Sequence, residues 1–190
     1  MRVLILSCNT GGGHNACAGA IQEAFTEQGH CCDIADSLGF VSDRLSKFIS
    51  WGHTAKYRHV PGLFCVGYDF AEKHPAMLHD DAAVYKLLTG GTEQLYTYIE
   101  KGAYNAVVCT HVFSGFLLRQ TMREHPLQIK TAFVGTDYTC SPGTAQSELD
   151  HYFIPAKSLA AEFTEQGVPA NKLIPSGIPV FKEFYKCKSK

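Results

Sequence analysis

Residues 2–14, RVLILSCNTGGGH, decide the fold class of this chain. The unbroken apolar run from Val3 to Leu6 is typical of a strand that is buried on both faces of a parallel sheet. The glycines end that strand, and from His14 onward apolar residues recur at helical spacing until Gly29. Residues 31–36 predict a second strand. The chain therefore opens with a βαβ unit whose first turn is rich in glycine.

Strands and helices continue to alternate along the rest of the chain. Helical spacing is present over residues 81–101, weakened at Gly90-Gly91, around residues 116–122 and over residues 156–166. Further strands are predicted at residues 104–109, 129–134, 152–154 and 172–174. This order predicts an α/β fold, a Rossmann-like doubly wound parallel sheet. Because residues 175–179 are rich in Pro and Gly, we expect one domain over residues 1–174 and the start of an interdomain linker over 175–190.

Composition excludes several classes of protein. The formal net charge of −1 gives no global basic field for nucleic acid. The eight cysteines include no CxxC pair, so we expect no zinc site and mostly reduced thiols in a reducing compartment. No apolar run reaches the roughly 20 residues of a spanning helix, and the N-terminus does not resemble a signal peptide. These features predict a soluble or peripheral protein.

Residues 38–59 combine an apolar stripe at helical spacing with basic side chains. Arg44, Lys47, Lys56 and Arg58 against Asp43 give residues 43–59 a net charge of +3, and Trp51 lies among them. Such a segment is typical of a helix lying at a membrane interface. An ordinary surface helix packed on the core has the same pattern, and both interpretations stay open.

Three polar groups follow predicted strands, where open α/β sheets bind their ligands. They are Gly11-Gly12-Gly13-His14, Thr110-His111 and Thr136-Asp137. The glycines can present backbone N–H groups to an anion at a helix N-terminus, and His14 beside them suits general-base catalysis. Asp137 could orient His14 or only cap the backbone after its strand. His111 could line the cleft or cap the next helix. A tight turn with a solvated histidine also explains the first loop.

Several motifs, in order along nearly the whole chain, resemble the monogalactosyldiacylglycerol synthases and the bacterial processive diacylglycerol glucosyltransferases. The matching stretches are Leu4-Ile5-Leu6-Ser7 with Gly11-Gly12-Gly13-His14, Tyr57 with Pro61-Gly62-Leu63-Phe64 and Tyr68, Cys109-Thr110-His111, Thr136-Asp137-Tyr138, Tyr152-Phe153-Ile154-Pro155, Gly167-Val168-Pro169 and Ser176-Gly177-Ile178-Pro179-Val180. Thr139-Cys140-Ser141-Pro142-Gly143 departs from the His- and Trp-rich stretch of plant-type members, which puts the acceptor and lipid-activator contacts in question.

The resemblance implies the N-terminal, acceptor-binding domain of a GT-B glycosyltransferase. His14 would be the catalytic base that deprotonates diacylglycerol, with Asp137 as its partner, and the reaction would invert the sugar. The donor would be a UDP-sugar, and no metal or other cofactor is expected. Substrate contacts are expected from Gly11, Gly12, Gly13, His111, Thr136 and Tyr138.

The resemblance also implies contact with the inner face of a bacterial cell membrane, which makes the protein peripheral and cytoplasmic. Phe48, Trp51 and Phe64 would insert, and Arg44, Lys47 and Lys56 would meet anionic lipid. The 190-residue chain alone is expected to be inactive because it would lack the UDP-sugar domain. Two alternatives remain: a relative of the N-acetylglucosamine transferase that acts on the cell-wall lipid precursor, and a non-catalytic nucleotide- or lipid-binding module.

Overall fold

A computed structural model describes residues 1–9, 12–42 and 81–184 of this chain. Within them lies a parallel sheet with the strand order β2-β1-β3-β4-β5-β6. The strands are β1 (Arg2–Ser7), β2 (Cys31–Asp36), β3 (Ala106–Cys109), β4 (Lys130–Val134), β5 (His151–Ile154) and β6 (Leu173–Pro175). The order reverses between β1 and β3, which makes their carboxyl ends the switch point where such sheets bind ligands.

Helices cover both faces of this sheet. They are α1 (Gly12–Glu27), α2 (Ser37–Val41), α3 (Ala83–Leu88), α4 (Thr92–Gly102), α5 (Val112–Glu124) and α6 (Ala160–Glu165). Val3 and Ile5 pack toward α1, whereas Leu4 and Leu6 belong to the core formed with α4, α5 and α6. Every residue from Val3 to Leu6 is therefore fully buried, which explains the continuous apolar run. The predicted Rossmann-like doubly wound sheet is confirmed.

The predicted helix over residues 81–101 is interrupted. It forms α3 and α4, which are separated at Gly90-Gly91. A Cβ added at Gly91 would lie 2.6 Å from backbone atoms of Phe40 at the end of α2. The glycine thus permits a close approach between the start of α4 and the end of α2.

Two further elements begin at least two residues later than the sequence predicts. Strand β3 begins at Ala106 rather than at residue 104, because the Tyr104 N–H still bonds to the Ile99 carbonyl of α4, 3.4 Å away. The helix predicted over 156–166 begins as a 3₁₀ turn at Lys157–Leu159 and becomes α-helical only at Ala160.

The chain after β6 returns to helix α1. The Phe181 ring lies against Gly19, where an added Cβ would be 2.7 Å from the nearest ring atom. Lys182 donates its backbone N–H to Glu23 and its ammonium to Glu27. Residues 181–184 of the predicted linker are therefore fastened to the first helix of the domain.

Six cysteines lie in the described part of the chain, and none of the six forms a disulfide there. Burial raises the pKa of Cys17 to about 12 and that of Cys140 to about 11. Burial also raises the pKa of the fully buried Cys109. These three thiols act as small apolar groups.

Candidate active site

The three polar groups predicted to follow strands do meet at one edge of the sheet. Strands β1, β3 and β4 are consecutive neighbours, and all run in the same direction. The His14 ring lies in the first turn of α1. Its Nδ1 is within hydrogen-bond distance of both Thr110, which follows β3, and Thr136, which follows β4. The carboxyl edge of the sheet therefore carries the candidate site.

His14 is held by one of its two ring nitrogens. Its Nδ1 lies 2.7 Å from the backbone carbonyl oxygen of Thr110. Because a carbonyl oxygen only accepts hydrogen bonds, Nδ1 must carry the hydrogen. The neutral ring then has its lone pair on Nε2, which is the nitrogen able to take a proton. This assignment of the hydrogen follows from the hydrogen-bond partner of Nδ1. Because that partner is a backbone carbonyl, the sequence motifs alone could not predict it.

Asp137 reaches His14 through an intermediate residue. The Thr136 hydroxyl oxygen lies 2.9 Å from His14 Nδ1, and the same hydroxyl donates to Asp137 Oδ2 at 3.2 Å. The sequence left open whether Asp137 orients His14 or only caps the backbone, and the resemblance implied that Asp137 is the partner of His14. In the structure the link between the carboxylate and the imidazole is the Thr136 hydroxyl, which the sequence analysis had placed among the substrate contacts.

His111 performs the capping role that the sequence left open, and it also borders His14. Its Nδ1 accepts the backbone N–H of Phe113 at 3.1 Å and so caps the N-terminus of α5. Its ring meets that of His14 edge to face, with 4.6 Å between centroids and 77° between planes. This contact with the His111 ring limits the tilt of the His14 ring.

Gly12 and Gly13 open helix α1 with their backbones exposed. A Cβ added at either position would meet no atom of the described residues within 4 Å. The first turn contains no acidic side chain. Its N–H groups and the positive end of the helix dipole are therefore available for an anion. Gly11 lies outside the described residues.

A polar network that the sequence did not predict links the ends of β1 and β2 to the start of α1. Ser7 donates to Asn15 Oδ1 at 2.7 Å, which ties the strand end to the first turn of α1. Asp36 at the end of β2 accepts from the backbone N–H of Asn9 at 3.3 Å and of Leu38 at 3.2 Å. The network places the start of α1, and with it His14. In the sequence, the polar side chain of Asn15 directly after His14 was the one feature that could have indicated this network.

Tyr138 projects from the site edge, with 71% of its surface exposed. The segment after it is anchored by Glu162 of α6, which accepts from Thr139 Oγ1 at 2.6 Å and from the Cys140 N–H at 2.7 Å. The stretch that departs from plant-type members therefore has a defined conformation beside the candidate site.

The expected membrane-contact residues, Arg44, Lys47, Phe48, Trp51, Lys56 and Phe64, all lie outside the described residues. No helix in residues 1–9, 12–42 or 81–184 is long and apolar enough to cross a membrane. The same residues contain no group of three His, Cys, Asp or Glu side chains arranged to hold a metal ion.

A groove of about 370 Å³ lies elsewhere, between α1 and residues 179–182. Its lining is mainly apolar, from Ala20, Ile21, Ala24, Phe25 and Val180, and it contains no histidine. The polar side chains of the candidate site instead lie at the carboxyl ends of β1, β3 and β4. We place the candidate active site at that edge because the convergent polar side chains and the open helix N-terminus are there.

Comparison with known proteins gives a family match over most of the chain. The sequence model of the monogalactosyldiacylglycerol (MGDG) synthase family matches residues 14–180. The uncharacterized glycosyltransferase YkoN of Bacillus subtilis (strain 168) is 23% identical over 179 residues, covering 94% of this chain and 47% of its own length. The processive diacylglycerol β-glucosyltransferase of Bacillus cereus (strain B4264) is 23% identical over 188 residues, covering 96% of this chain and 46% of its own.

The fold has a counterpart among solved structures. The apo form of the lipopolysaccharide outer core galactosyltransferase WaaB superposes with a TM-score of 0.56 at 9% identity, covering 92% of this chain and 45% of that protein. At this identity the likeness concerns the fold alone. The chain spans about half the length of the relatives named above.

Proposed function

The chain belongs to the MGDG synthase family, and on this premise we propose that it is the acceptor-binding half of an inverting glycosyltransferase. In this proposal a hexose passes from a UDP-sugar to diacylglycerol. The observation that carries the proposal is the His14 imidazole, whose Nδ1 is bound to the Thr110 carbonyl at 2.7 Å and whose Nε2 is left to act as the base.

The proposed reaction is a single displacement. His14 Nε2 takes the proton of the diacylglycerol hydroxyl while that oxygen attacks the anomeric carbon of the sugar. The bond from the anomeric carbon to the UDP oxygen breaks, and UDP leaves with its electron pair. Because attack and departure occur on opposite sides, the configuration at the anomeric carbon is inverted. A positioned base contributes about 10²- to 10⁴-fold to such a step.

The N-terminus of α1 would serve the leaving group. Gly12 and Gly13 are exposed beside His14, and a Cβ added at either would meet no described atom within 4 Å. The diphosphate of UDP would bind there, where the helix dipole stabilises the negative charge that develops as the bond breaks. The helix supplies the positive potential in this proposal, and no metal ion is invoked.

The acceptor requires access to a membrane surface. In our proposal residues 43–64 provide it: Arg44, Lys47 and Lys56 contact anionic headgroups, and Phe48, Trp51 and Phe64 insert at the inner face of the cell membrane. We expect the chain to float with vesicles that contain anionic lipid and to float less when Lys47 and Lys56 are replaced by Glu. Equal flotation of the two proteins would contradict the assignment of these side chains.

Sugar transfer is the test of the proposed activity. Two proteins would be assayed: the 190-residue chain alone, and a longer protein in which the chain is followed by a UDP-sugar-binding half. The donor would be UDP-glucose or UDP-galactose, and the acceptor would be diacylglycerol in vesicles. We expect a glycosylated lipid only from the longer protein, with inverted anomeric configuration. Turnover by the 190-residue chain alone would contradict the two-domain arrangement. Transfer to a cell-wall lipid precursor instead of diacylglycerol would overturn the acceptor assignment.

A further inference from the structure

We propose that Thr136 is the positioning residue of the His14 base and that Asp137 acts on the imidazole through the Thr136 hydroxyl. The assignment of His14 as a base rests on the proposed function, whereas the hydrogen-bond arrangement does not. The chain of contacts runs from Thr110 O to His14 Nδ1 at 2.7 Å, to Thr136 Oγ1 at 2.9 Å and to Asp137 Oδ2 at 3.2 Å.

Counting the hydrogens leaves one arrangement. Nδ1 carries one hydrogen, and two oxygens lie within bonding distance of it, so the bond is shared between Thr110 O and Thr136 Oγ1. The Thr136 hydroxyl hydrogen then goes to Asp137, which as a carboxylate only accepts. If Thr136 donated to Nδ1 instead, the Nδ1 lone pair would face the Thr110 carbonyl at 2.7 Å, which is repulsive.

This arrangement gives Thr136 an electrostatic function. A hydroxyl that donates to a carboxylate becomes a better acceptor at its oxygen, because bonds in such a chain polarise one another. When Nε2 takes a proton, the positive charge on the ring is met at Nδ1–H by an oxygen that is bonded to Asp137. Thr110 O and Thr136 Oγ1 hold the ring from one side, and the edge of His111 limits it from another.

The same contacts argue against a substrate contact for Thr136. Its hydroxyl hydrogen is directed to Asp137, and its oxygen faces His14. The strand end that carries it is also fixed, because the Gly135 N–H donates to the Phe153 carbonyl at 2.9 Å. Removing the Thr136 hydroxyl should therefore weaken His14 as a base and leave the affinity for substrate unchanged.

Four variants separate the possible roles. Thr136→Val removes the hydroxyl and nearly keeps the volume, and Thr136→Ser keeps the hydroxyl. Asp137→Asn removes the charge, and the double variant Thr136→Val/Asp137→Asn tests whether the two act in series. Thr139→Val is the matched control, because Thr139 lies on the same loop and bonds to Glu162.

The first measurement is ¹⁵N NMR of the His14 ring in the 190-residue chain, which requires no activity. We expect a protonated Nδ1 and an unprotonated Nε2 for the neutral ring. Asp137→Asn should shift the Nδ1 resonance in the wild-type background and leave it in place in the Thr136→Val background, and Thr139→Val should leave it in place throughout. A ring protonated at Nε2, or an equal Asp137→Asn shift in both backgrounds, would overturn the inference.

The second measurement is steady-state sugar transfer by the protein that includes the donor-binding half. Thr136→Val should lower kcat about tenfold or more with little change in KM, and Thr136→Ser should retain most of kcat. A raised KM at constant kcat would show that Thr136 binds substrate and would overturn the proposal. If the wild-type protein transfers no sugar, the proposed function fails, and the NMR result still decides the hydrogen-bond arrangement.

Discussion

The two nitrogens of the His14 ring have different tasks in this site. Nδ1 is bound to groups of the domain, Thr110 O and Thr136 Oγ1, and this leaves Nε2 for chemistry. The sequence predicted a base after the first glycine-rich turn, since histidine in that position suits proton transfer near neutral pH. It could not predict which nitrogen carries the hydrogen, because that depends on a backbone carbonyl 96 residues away.

Asp33 provides a test of single-residue electrostatics away from the site. The Tyr104 hydroxyl and the Arg2 guanidinium both donate to its carboxylate and lower its pKa. A pKa that is lower in the folded than in the unfolded state contributes stability above the unfolded value of about 3.9, and this contribution is lost as the pH falls through the folded pKa. Asp33→Asn should therefore be less stable than wild type at pH 7, and the difference should be smaller at pH 3, below the unfolded pKa.

Urea unfolding midpoints at these two pH values measure the effect. The side chains of Arg2 and Asp33 are 47% and 45% exposed, so we expect a modest difference at pH 7 that decreases with added salt. Replacing the exposed Glu100 by Gln is the matched control. An undiminished difference at pH 3 would contradict the assignment.

At the scale of elements, Arg119 joins α5 to two neighbours. Its side chain is 8% exposed and bonds to Tyr85 of α3 at 3.1 Å and to Glu148 before β5 at 2.7 Å. Glu148 is 58% exposed. Only the arginine has been removed from water. Loss of the ion pair should therefore cost more free energy when the charged guanidinium remains than when the carboxylate remains.

This difference predicts an asymmetry between two variants. Glu148→Gln should lower the free energy of unfolding by about 2 kcal/mol, since the buried guanidinium then faces a neutral amide in place of the carboxylate at 2.7 Å. Arg119→Met should cost less, since the carboxylate left behind is already solvated and the methionine fills the space. Chemical denaturation of both variants measures this, and a larger loss for Arg119→Met would contradict the expected order.

The contact between α1 and residues 181–184 gives a second prediction at this scale. Gly19→Ala places a methyl group where the Phe181 ring now lies, 2.7 Å from its nearest atom. Since alanine favours the helix by about 1 kcal/mol over glycine, α1 should persist while the ring moves away. Amide exchange at Phe184, whose N–H now donates to the Phe181 carbonyl, should accelerate.

Gly39→Ala is the control for this change, because a Cβ there meets no described atom within 4 Å. Unchanged exchange at Phe184 in the Gly19 variant would show that the ring does not fasten this segment.

Elements and their order were largely predictable, because buried parallel strands and amphipathic helices have strong local patterns. The exceptions depend on contacts between distant residues. Gly90-Gly91 was visible as a weak point, but the close approach of Gly91 to Phe40 was not. His111 could cap or line the cleft by sequence, and the structure shows that capping α5 also brings its ring to His14. The Thr136 link depends on β4 lying next to β3, which no local pattern encodes.

For the whole molecule, the sheet order explains why one edge carries the site. The switch point between β1 and β3 leaves the first turn of α1 and the capping histidine of α5 facing the same space, and β4 adds Thr136 and Asp137. The chain covers 47% and 46% of the lengths of the two Bacillus relatives. In our proposal this chain therefore supplies the base and the acceptor side, and the sugar donor is recognised by a part of the protein outside it.

In our proposal His14 is the base of sugar transfer. The most direct test is the kcat for transfer from a UDP-sugar to diacylglycerol by the protein that includes the donor-binding half, with His14→Ala compared with wild type and with His151→Ala, which lies at the start of β5 away from the site. We predict at least a hundredfold lower kcat for His14→Ala with little change in KM, and full activity for His151→Ala. Full activity of His14→Ala would contradict the account.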